Sequence, residues 1–237
     1  MKRKAILIGN TSGLPGVKVD LRRFSGFLAS NTGGAWYTHE IEVHTDVARV
    51  NLVTRLTQLK NKGLDYAVVL FSGHGGQFRK ETVLELNKSG ETIEESVLRG
   101  LAPRQLTIFD CCRCYLEPIQ KAESVERMQA AFMESASSVR FRYESRIMQA
   151  VPQQAQLYSC SVGQVSYDTP DGGIYLTNLL KAASKFDNKF KLVGAAHEEA
   201  QGPTFYHSLT KNDGRQTPEC VLPKCLSQQQ LILSIKG

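Results

Sequence analysis

The stretch YAVVLFSGHGG (Tyr66–Gly76) joins an apolar run to a glycine-rich loop that carries His74. A short apolar run rich in β-branched residues and ended by glycine predicts a buried strand. A second run, QLTIF (Gln105–Phe109), leads directly into the loop DCCR (Asp110–Arg113). Strands that are apolar throughout are typical of parallel sheets covered on both faces. We therefore expect both loops at the carboxyl edge of one sheet, where ligand sites gather.

The rest of the chain alternates between strand and helix patterns. We predict strands at Ala5–Ile8, Trp36–Val43, Thr82–Leu86 and Gln156–Ser161, and helices at Val17–Leu28, Asn51–Leu59, Thr92–Leu98, Gly173–Phe186 and Phe190–Glu199. Such alternation implies βαβ units. The predicted fold class is α/β, with a mainly parallel central sheet and helices on both faces.

The length of 237 residues favours a single domain over residues 1–237. Between Tyr115 and Gln154 the periodicity weakens into a polar, arginine-rich stretch, with some helical character at Val125–Met133. We interpret residues 115–154 as a linker or insertion.

The composition, 41% hydrophobic and 22% charged, predicts a soluble, folded protein. The N-terminus has basic residues before an apolar run, but Ala5–Ile8 is too short for a signal peptide. No later segment approaches the roughly 20 apolar residues that span a bilayer. We expect a cytoplasmic location, no membrane partner and reduced cysteines. The net charge of +6 comes from scattered residues, so we expect no nucleic acid partner, although a basic nucleic-acid binder stays among the alternatives.

The two loops carry the groups that a cysteine peptidase needs: a thiol nucleophile, an imidazole base and backbone donors for the oxyanion. Cys112 would be the nucleophile and His74 the general base. Gly75 N–H would be the oxyanion donor, because glycine lets the backbone approach a substrate closely. The alternatives are a structural histidine in a tight turn and a cysteine that acts as a small buried hydrophobe.

A structural zinc site is another interpretation of the cysteines. Cys111, Cys112 and Cys114 could join His74 or Cys160. They lack the paired C-x₂-C spacing of structural zinc sites, so we rank this below the nucleophile and expect no metal ligand.

Together, the SGHG and DCCR loops resemble those of the caspase, metacaspase and bacterial caspase-homologue superfamily. Leu14–Asp20 (LPGVKVD) is similar to its L-x-G-x-x-x-D helix entry, and Gln216–Glu219 (QTPE) to the QTPE of many bacterial members. The resemblance covers most of the chain and implies a caspase-like three-layer sandwich and a cysteine endopeptidase. It also implies Cys112 as the nucleophile, with Cys111 toward the core.

The resemblance bears on specificity as well. The caspase signature Q-A-C-[RQG]-G is not met, because Asp110 stands where caspases place Gln and Cys114 where they place Gly. Metacaspases line the P1 pocket with acids, and Asp20 and Asp110 match those positions. We therefore predict cleavage after Arg or Lys, whose cations pair with buried carboxylates. The alternatives are a solvated or helix N-capping carboxylate for Asp20 and a turn residue for Asp110.

The end of the last predicted strand corresponds to another wall of the family's substrate groove, formed by backbone pairing. That wall would comprise Ser159, Cys160 and Ser161. The next loop could line the groove or bind calcium through Tyr167, Asp168 and Asp171. The implied mechanism requires no cofactor, and the calcium that some metacaspases require has no D-x-D-x-D-G loop here.

In family relatives, the place of residues 115–154 is taken by the linker between the large and small subunits. An Arg-specific protease could cut itself there, at Arg127, Arg140, Arg142 or Arg146. Self-processing is one hypothesis, and a solvated helical insertion is the other.

The expected partners are a protein or peptide substrate and, as for bacterial relatives in regulated death or antiphage defence, a sensor or activator encoded separately. The remaining alternatives to an active endopeptidase are a catalytically silent caspase-fold scaffold and a Cys/His metal-binding module.

Overall fold

A computed structural model describes residues 1–115, 137–211 and 214–237. Its strands are β1 (Arg3–Gly9), β2 (Ile41–Thr45), β3 (Tyr66–Ser72), β4 (Gly75–Phe78), β5 (Glu81–Glu85), β6 (Thr92–Glu94), β7 (Arg104–Asp110), β8 (Gln153–Tyr158), β9 (Phe190–Leu192), β10 (Glu219–Val221) and β11 (Ile232–Ile235). Its helices are α1 (Val17–Ala29), α2 (Arg49–Lys60), α3 (Ser137–Gln149), α4 (Ile174–Ala183) and α5 (Val193–Ser208). Within these ranges, no helix combines the length and hydrophobicity needed to cross a bilayer.

The central sheet has the strand order β10-β8-β7-β3-β1-β2. Strands β2, β1, β3, β7 and β8 run parallel, and β10 pairs antiparallel with β8 at the edge. The two apolar runs predicted as buried strands are the neighbours β3 and β7, and every residue of β3 is buried. Their pairing confirms the predicted α/β class with a mainly parallel sheet.

The side chains of β1 alternate between two hydrophobic cores. Ala5 and Leu7 belong to the core that α1, α3, α4 and α5 cover. Ile6 and Ile8 belong to the opposite core, which the leucines of α2 cover. Because a strand directs successive side chains to opposite faces, this apolar strand needs helices on both sides. The predicted three-layer arrangement is confirmed.

A small antiparallel sheet, β4-β5-β6, is inserted between β3 and β7. Leu84 and Ile93 anchor it in the core on the α2 side. The insertion starts directly after the SGHG loop. His74 therefore lies between the end of a buried strand and the start of this sheet.

Some predicted elements were partly wrong. Trp36–Val43 is not one strand, because Thr38–Glu40 forms a 3₁₀ turn and β2 starts only at Ile41. Trp36 is buried instead, with the Arg3 guanidinium 4.3 Å from its ring. The predicted helices Thr92–Leu98 and Phe190–Glu199 begin as β6 and β9, where pairing with β5 and β11 outweighs helical periodicity.

Residues 137–154 of the predicted linker or insertion belong to the fold. Helix α3 buries Val139, Tyr143 and Ile147 in the core. Arg140 donates two hydrogen bonds, of 2.6 and 2.8 Å, to the Glu40 carboxylate. Residues 153 and 154 already belong to β8. The helical character predicted at 125–133 lies outside the described residues.

Candidate active site

Two loops meet at the carboxyl edge of the sheet. Ser72 of β3 and Asp110 of β7 are registered partners in adjacent parallel strands, which lie about 4.8 Å apart. His74 and Cys112 each follow two residues later. Gly73 N–H donates to Asp110 O at 3.1 Å and ties the two loops together.

His74 and Cys112 line one cleft of about 140 Å³. Pockets for drug-sized ligands span about 300–1,000 Å³, so this cleft suits a single side chain. Its lining also includes three carboxylates, those of Asp20, Asp110 and Asp168. The structure thus gathers the predicted nucleophile, base and P1-pocket acids in one place.

The His74 ring is oriented by a backbone carbonyl. Its Nε2 lies 2.6 Å from Ser12 O. A carbonyl oxygen only accepts hydrogen bonds, so Nε2 carries the hydrogen and Nδ1 of the neutral ring keeps its lone pair. The Asp168 carboxylate interacts electrostatically with the ring. The imidazole is therefore set to accept a proton at Nδ1.

Cys112 is half-buried against the backbone of Ser166. Ser166 N–H donates to Cys112 Sγ at 3.2 Å, and the thiol faces Ser166 O at 3.6 Å. Burial raises the pKa of the Cys112 thiol, more than the Ser166 N–H lowers it. The residue therefore rests as a thiol at neutral pH, and nucleophilic attack needs a base.

Cys111 lies one position before Cys112 and has different surroundings. It is buried in the core on the α2 side, as the resemblance implied. Burial raises the pKa of its thiol well above the ordinary value. A thiol of this kind is unreactive, because it does not ionise near neutral pH.

Gly75 opens β4 directly against the cysteine loop. A Cβ at this position would lie 2.8 Å from Cys111 Sγ and 3.0 Å from Cys112 O. Only glycine allows the two loops this close. The backbone of Gly75 therefore lies beside Cys112, and its role as oxyanion donor stays a prediction.

Asp20 is almost fully buried in the cleft wall. It accepts hydrogen bonds from Ser72 Oγ–H at 2.8 Å and from Gly173 N–H at 3.0 Å. Burial and, secondarily, the nearby Asp110 raise its pKa to about 7. The N-cap of α1 is Gly16, so the helix-cap alternative for Asp20 was wrong.

Asp110 is the second buried acid of the cleft. It accepts hydrogen bonds from Ser166 Oγ–H at 2.8 Å and from Leu176 N–H at 3.0 Å. Burial raises its pKa, and the charge of Asp168 adds to the effect. The residue ends β7 rather than forming a turn.

Asp168 is the third carboxylate, and it lies on the loop expected to line the groove or to bind calcium. It accepts a hydrogen bond from Gly16 N–H at 3.0 Å, and burial raises its pKa. Across the described ranges, no lysine or arginine forms an ion pair with Asp20, Asp110 or Asp168. Unpaired buried carboxylates are costly, so the cleft is electrostatically suited to a cation.

The calcium hypothesis for the 167–171 loop gains no support. Tyr167 lines the cleft with Asp168, whereas Asp171 is exposed and its backbone carbonyl accepts a hydrogen bond from Arg23. Among the residues that the structure describes, no three His, Cys, Asp or Glu side chains are arranged to hold a metal ion. The same observation leaves the zinc alternative without support.

Ser159 and Cys160 are fully buried behind the cysteine loop. Ser159 Oγ exchanges two hydrogen bonds of 3.2 Å with the backbone of Cys111, and Cys160 Sγ donates to Cys111 O at 3.3 Å. Ser161 Oγ–H donates to Thr217 O at 2.9 Å. The side chains of Ser159 and Cys160 therefore support the cysteine loop, and that of Ser161 contacts the QTPE segment. The groove-wall role, which concerns their backbone, stays a prediction.

Arg113 has a supporting role that sequence reasoning missed. Its guanidinium lies 4.1 Å from the Tyr158 ring, donates to Cys160 O at 3.3 Å and pairs with Glu219 at 3.0 Å. It thereby anchors the cysteine loop to β8 and β10. Nothing in a single sequence links positions 113 and 219, so the pair becomes visible only in the fold.

The sheet order and the carboxyl-edge cleft, which both His74 and Cys112 line, define an α/β protein with a candidate site at the end of β3 and β7. A family model described as the caspase domain, peptidase C14, matches residues 2–221. The chain therefore belongs to the caspase-domain family of cysteine peptidases. A search of curated proteins found no match.

Proposed function

We propose that the protein is a cysteine endopeptidase that cleaves after Arg or Lys, with Cys112 as nucleophile and His74 as general base. One observation carries the proposal: a single cleft holds both residues together with three carboxylates that form no ion pair with a lysine or arginine within the described ranges. Family membership supports the peptidase chemistry. The acidic cleft supports the specificity.

In the proposed mechanism, Cys112 Sγ attacks the scissile carbonyl carbon while its proton passes to His74 Nδ1. The hydrogen bond from Nε2 to Ser12 leaves Nδ1 available for this proton. The oxyanion accepts a hydrogen bond from Gly75 N–H. The imidazolium then protonates the leaving amine, and water hydrolyses the acyl-enzyme with the imidazole as base.

The specificity follows from charge. An arginine or lysine at P1 would supply the cation that Asp20, Asp110 and Asp168 lack, and a guanidinium can bind carboxylates through paired hydrogen bonds. A P1 aspartate would instead add a further negative charge to a low-dielectric site. We therefore expect caspase-type cleavage after aspartate to be excluded.

The biological setting is also proposed. Likeness to bacterial members of the family suggests regulated cell death or antiphage defence in the cytoplasm, with a sensor or activator encoded separately. The substrate would be a protein or peptide. Self-processing would belong to the same regulation.

The test is a P1-library cleavage profile of wild-type protein, Cys112→Ala and the matched control Cys220→Ala, whose thiol is exposed. Wild type and Cys220→Ala should cleave after Arg and Lys, and Cys112→Ala should be inactive. Hydrolysis retained in Cys112→Ala would refute the nucleophile. Cleavage after Asp alone would refute the pocket. If none of the three proteins cleaves a peptide, the catalytically silent scaffold is favoured.

A further inference from the structure

Gln216, in the QTPE segment, is fully buried, and its side-chain amide makes three hydrogen bonds. Nε2 donates to Ser159 O at 3.1 Å and to Ser166 Oγ at 3.0 Å. Oε1 accepts from Tyr167 N–H at 3.2 Å. One amide therefore joins the residue after β8 to the loop that faces the cleft.

Ser166 connects this amide to both halves of the candidate site. Its hydroxyl donates to Asp110 Oδ1 at 2.8 Å, and its N–H donates to Cys112 Sγ at 3.2 Å. A hydroxyl has one hydrogen, so while it donates to Asp110 it can only accept from other groups. Gln216 Nε2 occupies such an acceptor position and thereby fixes the direction of the hydroxyl.

We infer that Gln216 is a positioning residue, which holds Ser166 so that this serine supports the Cys112 thiol and orients the Asp110 carboxylate together. The inference rests on the proposed peptidase function. Beyond that function, it gives Gln216 the role of linking the proposed nucleophile, Cys112, to Asp110 of the proposed P1 pocket. Gln216 acts through Ser166 and does not line the cleft.

The neighbours of Gln216 in the QTPE segment bind elsewhere. Thr217 N–H donates to Gln164 Oε1 at 2.7 Å, and Pro218 O accepts from Gln201 Nε2 at 2.9 Å. The bond from Gln201 fastens the same segment to α5 without reaching Ser166. Gln201→Leu is therefore a matched control, since it makes the same substitution and removes a bond to the same segment.

The experiment compares Gln216→Leu, Gln201→Leu, Ser166→Ala and the double variant Gln216→Leu/Ser166→Ala. Three quantities are measured: kcat/KM on an Arg-P1 peptide, the rate of Cys112 alkylation by iodoacetamide, and the melting temperature. Gln216→Leu should lower kcat/KM by about tenfold to a hundredfold and slow alkylation, because small displacements of reacting groups have effects of this size. Gln201→Leu should change both by less than about twofold.

The double variant separates positioning from general stability. If Gln216 acts through the Ser166 hydroxyl, rather than through its bonds to Ser159 O and Tyr167 N–H, adding Gln216→Leu to Ser166→Ala should cost less than about threefold, because that hydroxyl is already gone. Losses that multiply in the double variant would overturn the inference, as would equal losses for Gln216→Leu and Gln201→Leu. If Gln216→Leu fails to fold, unchanged kcat/KM and alkylation in Ser166→Ala would overturn it too.

Failure of the proposed function would look different. A wild-type protein that cleaves no peptide would refute the peptidase. Alkylation of Cys112 needs no substrate, so its rate in the four variants would still decide whether Gln216 acts on the thiol through Ser166.

Discussion

Ser72 on β3 and Asp110 on β7 are registered neighbours, and His74 and Cys112 stand two residues beyond them. The relative position of His74 and Cys112 is thus set by the ladder of a parallel sheet. A slip of one residue would move the apolar side chains of β3 to the opposite face. Because both faces are packed, the two cores hold the register and with it the cysteine–histidine pair.

The pH dependence of Cys112 alkylation follows from its burial. The pKa of the thiol is raised, so the reactive thiolate should keep increasing through the alkaline range. We expect the rate with iodoacetamide to rise from about pH 6 to about pH 10 without a plateau near neutrality, as measured by peptide mapping. Cys111 should stay unlabelled in the folded protein. A plateau below about pH 7 would mean a preformed thiolate and would contradict this prediction.

Asp20→Asn should weaken activity and strengthen the fold. In the folded protein the pKa of Asp20 is about 7, above its ordinary value of 3.8. The free energy of unfolding therefore falls as the pH rises from about 4 to about 7, because the buried carboxyl ionises, and the loss stays constant at higher pH. Asparagine stays neutral, so the gain in the free energy of unfolding should reach up to about 4 kcal/mol near pH 8 and be small near pH 4.

In Asp20→Asn, kcat/KM on Arg-P1 peptides should fall at least about tenfold, because the pocket has one carboxylate fewer to bind the P1 cation. Denaturant unfolding at the two pH values and peptide hydrolysis measure the effects. Asp187→Asn is the control, since its side chain is 89% exposed. If Asp20→Asn and wild type have the same free energy of unfolding near pH 8, Asp20 is not an ionised carboxylate without a cationic partner.

Gly75→Ala should damage the site, because its Cβ would collide with Cys111 Sγ and Cys112 O. We expect kcat/KM to fall at least about tenfold as the cysteine loop shifts. Gly26→Ala is the matched control: nothing lies within 4 Å of its Cβ, and in α1 it should add about 0.5–1 kcal/mol of stability. Peptide hydrolysis and thermal unfolding test the pair, and full activity in Gly75→Ala would contradict the close approach.

Arg113→Met should destabilise the protein by about 2–4 kcal/mol, since it removes hydrogen bonds, an ion pair and ring stacking from a buried guanidinium. Glu219→Gln removes only the charge of a partner whose side chain is 49% exposed, so it should cost less than about 1 kcal/mol. Urea unfolding of both variants provides the measurement. Equal losses would mean that Arg113 acts mainly through the ion pair.

Self-processing, if it occurs, should avoid three of the four candidate arginines. Arg140, Arg142 and Arg146 lie in α3, and all three donate hydrogen bonds to other parts of the fold. Proteases bind extended segments rather than helices such as α3, so we expect any Cys112-dependent nick at the fourth candidate, Arg127, which lies outside the described residues. Intact-mass analysis of wild type and Cys112→Ala is the measurement, and a nick after Arg140 would contradict the expectation.

Local patterns predicted the elements that frame the site. Continuous apolar runs identified β3 and β7, and the glycines beside His74 indicated a turn at the edge of the sheet. The helical spacing of Val139, Tyr143 and Ile147 is also visible in the sequence, but the arginines around these residues suggested a solvated segment rather than a core helix. Those arginines are satisfied by distant groups such as Glu40, which periodicity does not reveal.

The cleft itself was only half predictable. Asp20 and Asp110 could be matched to family positions, whereas Asp168 reaches the cleft because its loop folds back onto Gly16. Ser166 and Gln216 are ordinary polar residues that are far apart in the chain. Their hydrogen bond has no local signature, so the link between them required the fold.

The pairing of β10 with β8 has a consequence for protein synthesis. A ribosome releases His74 and Cys112 well before Glu219, which holds Arg113, and before the strand that completes the sheet edge. During that interval the nascent chain has both reactive groups but lacks the contacts that fix the cysteine loop. If the chain acts as the proposed peptidase, its full activity would therefore arise only after Val221 has been synthesised and β10 can pair with β8.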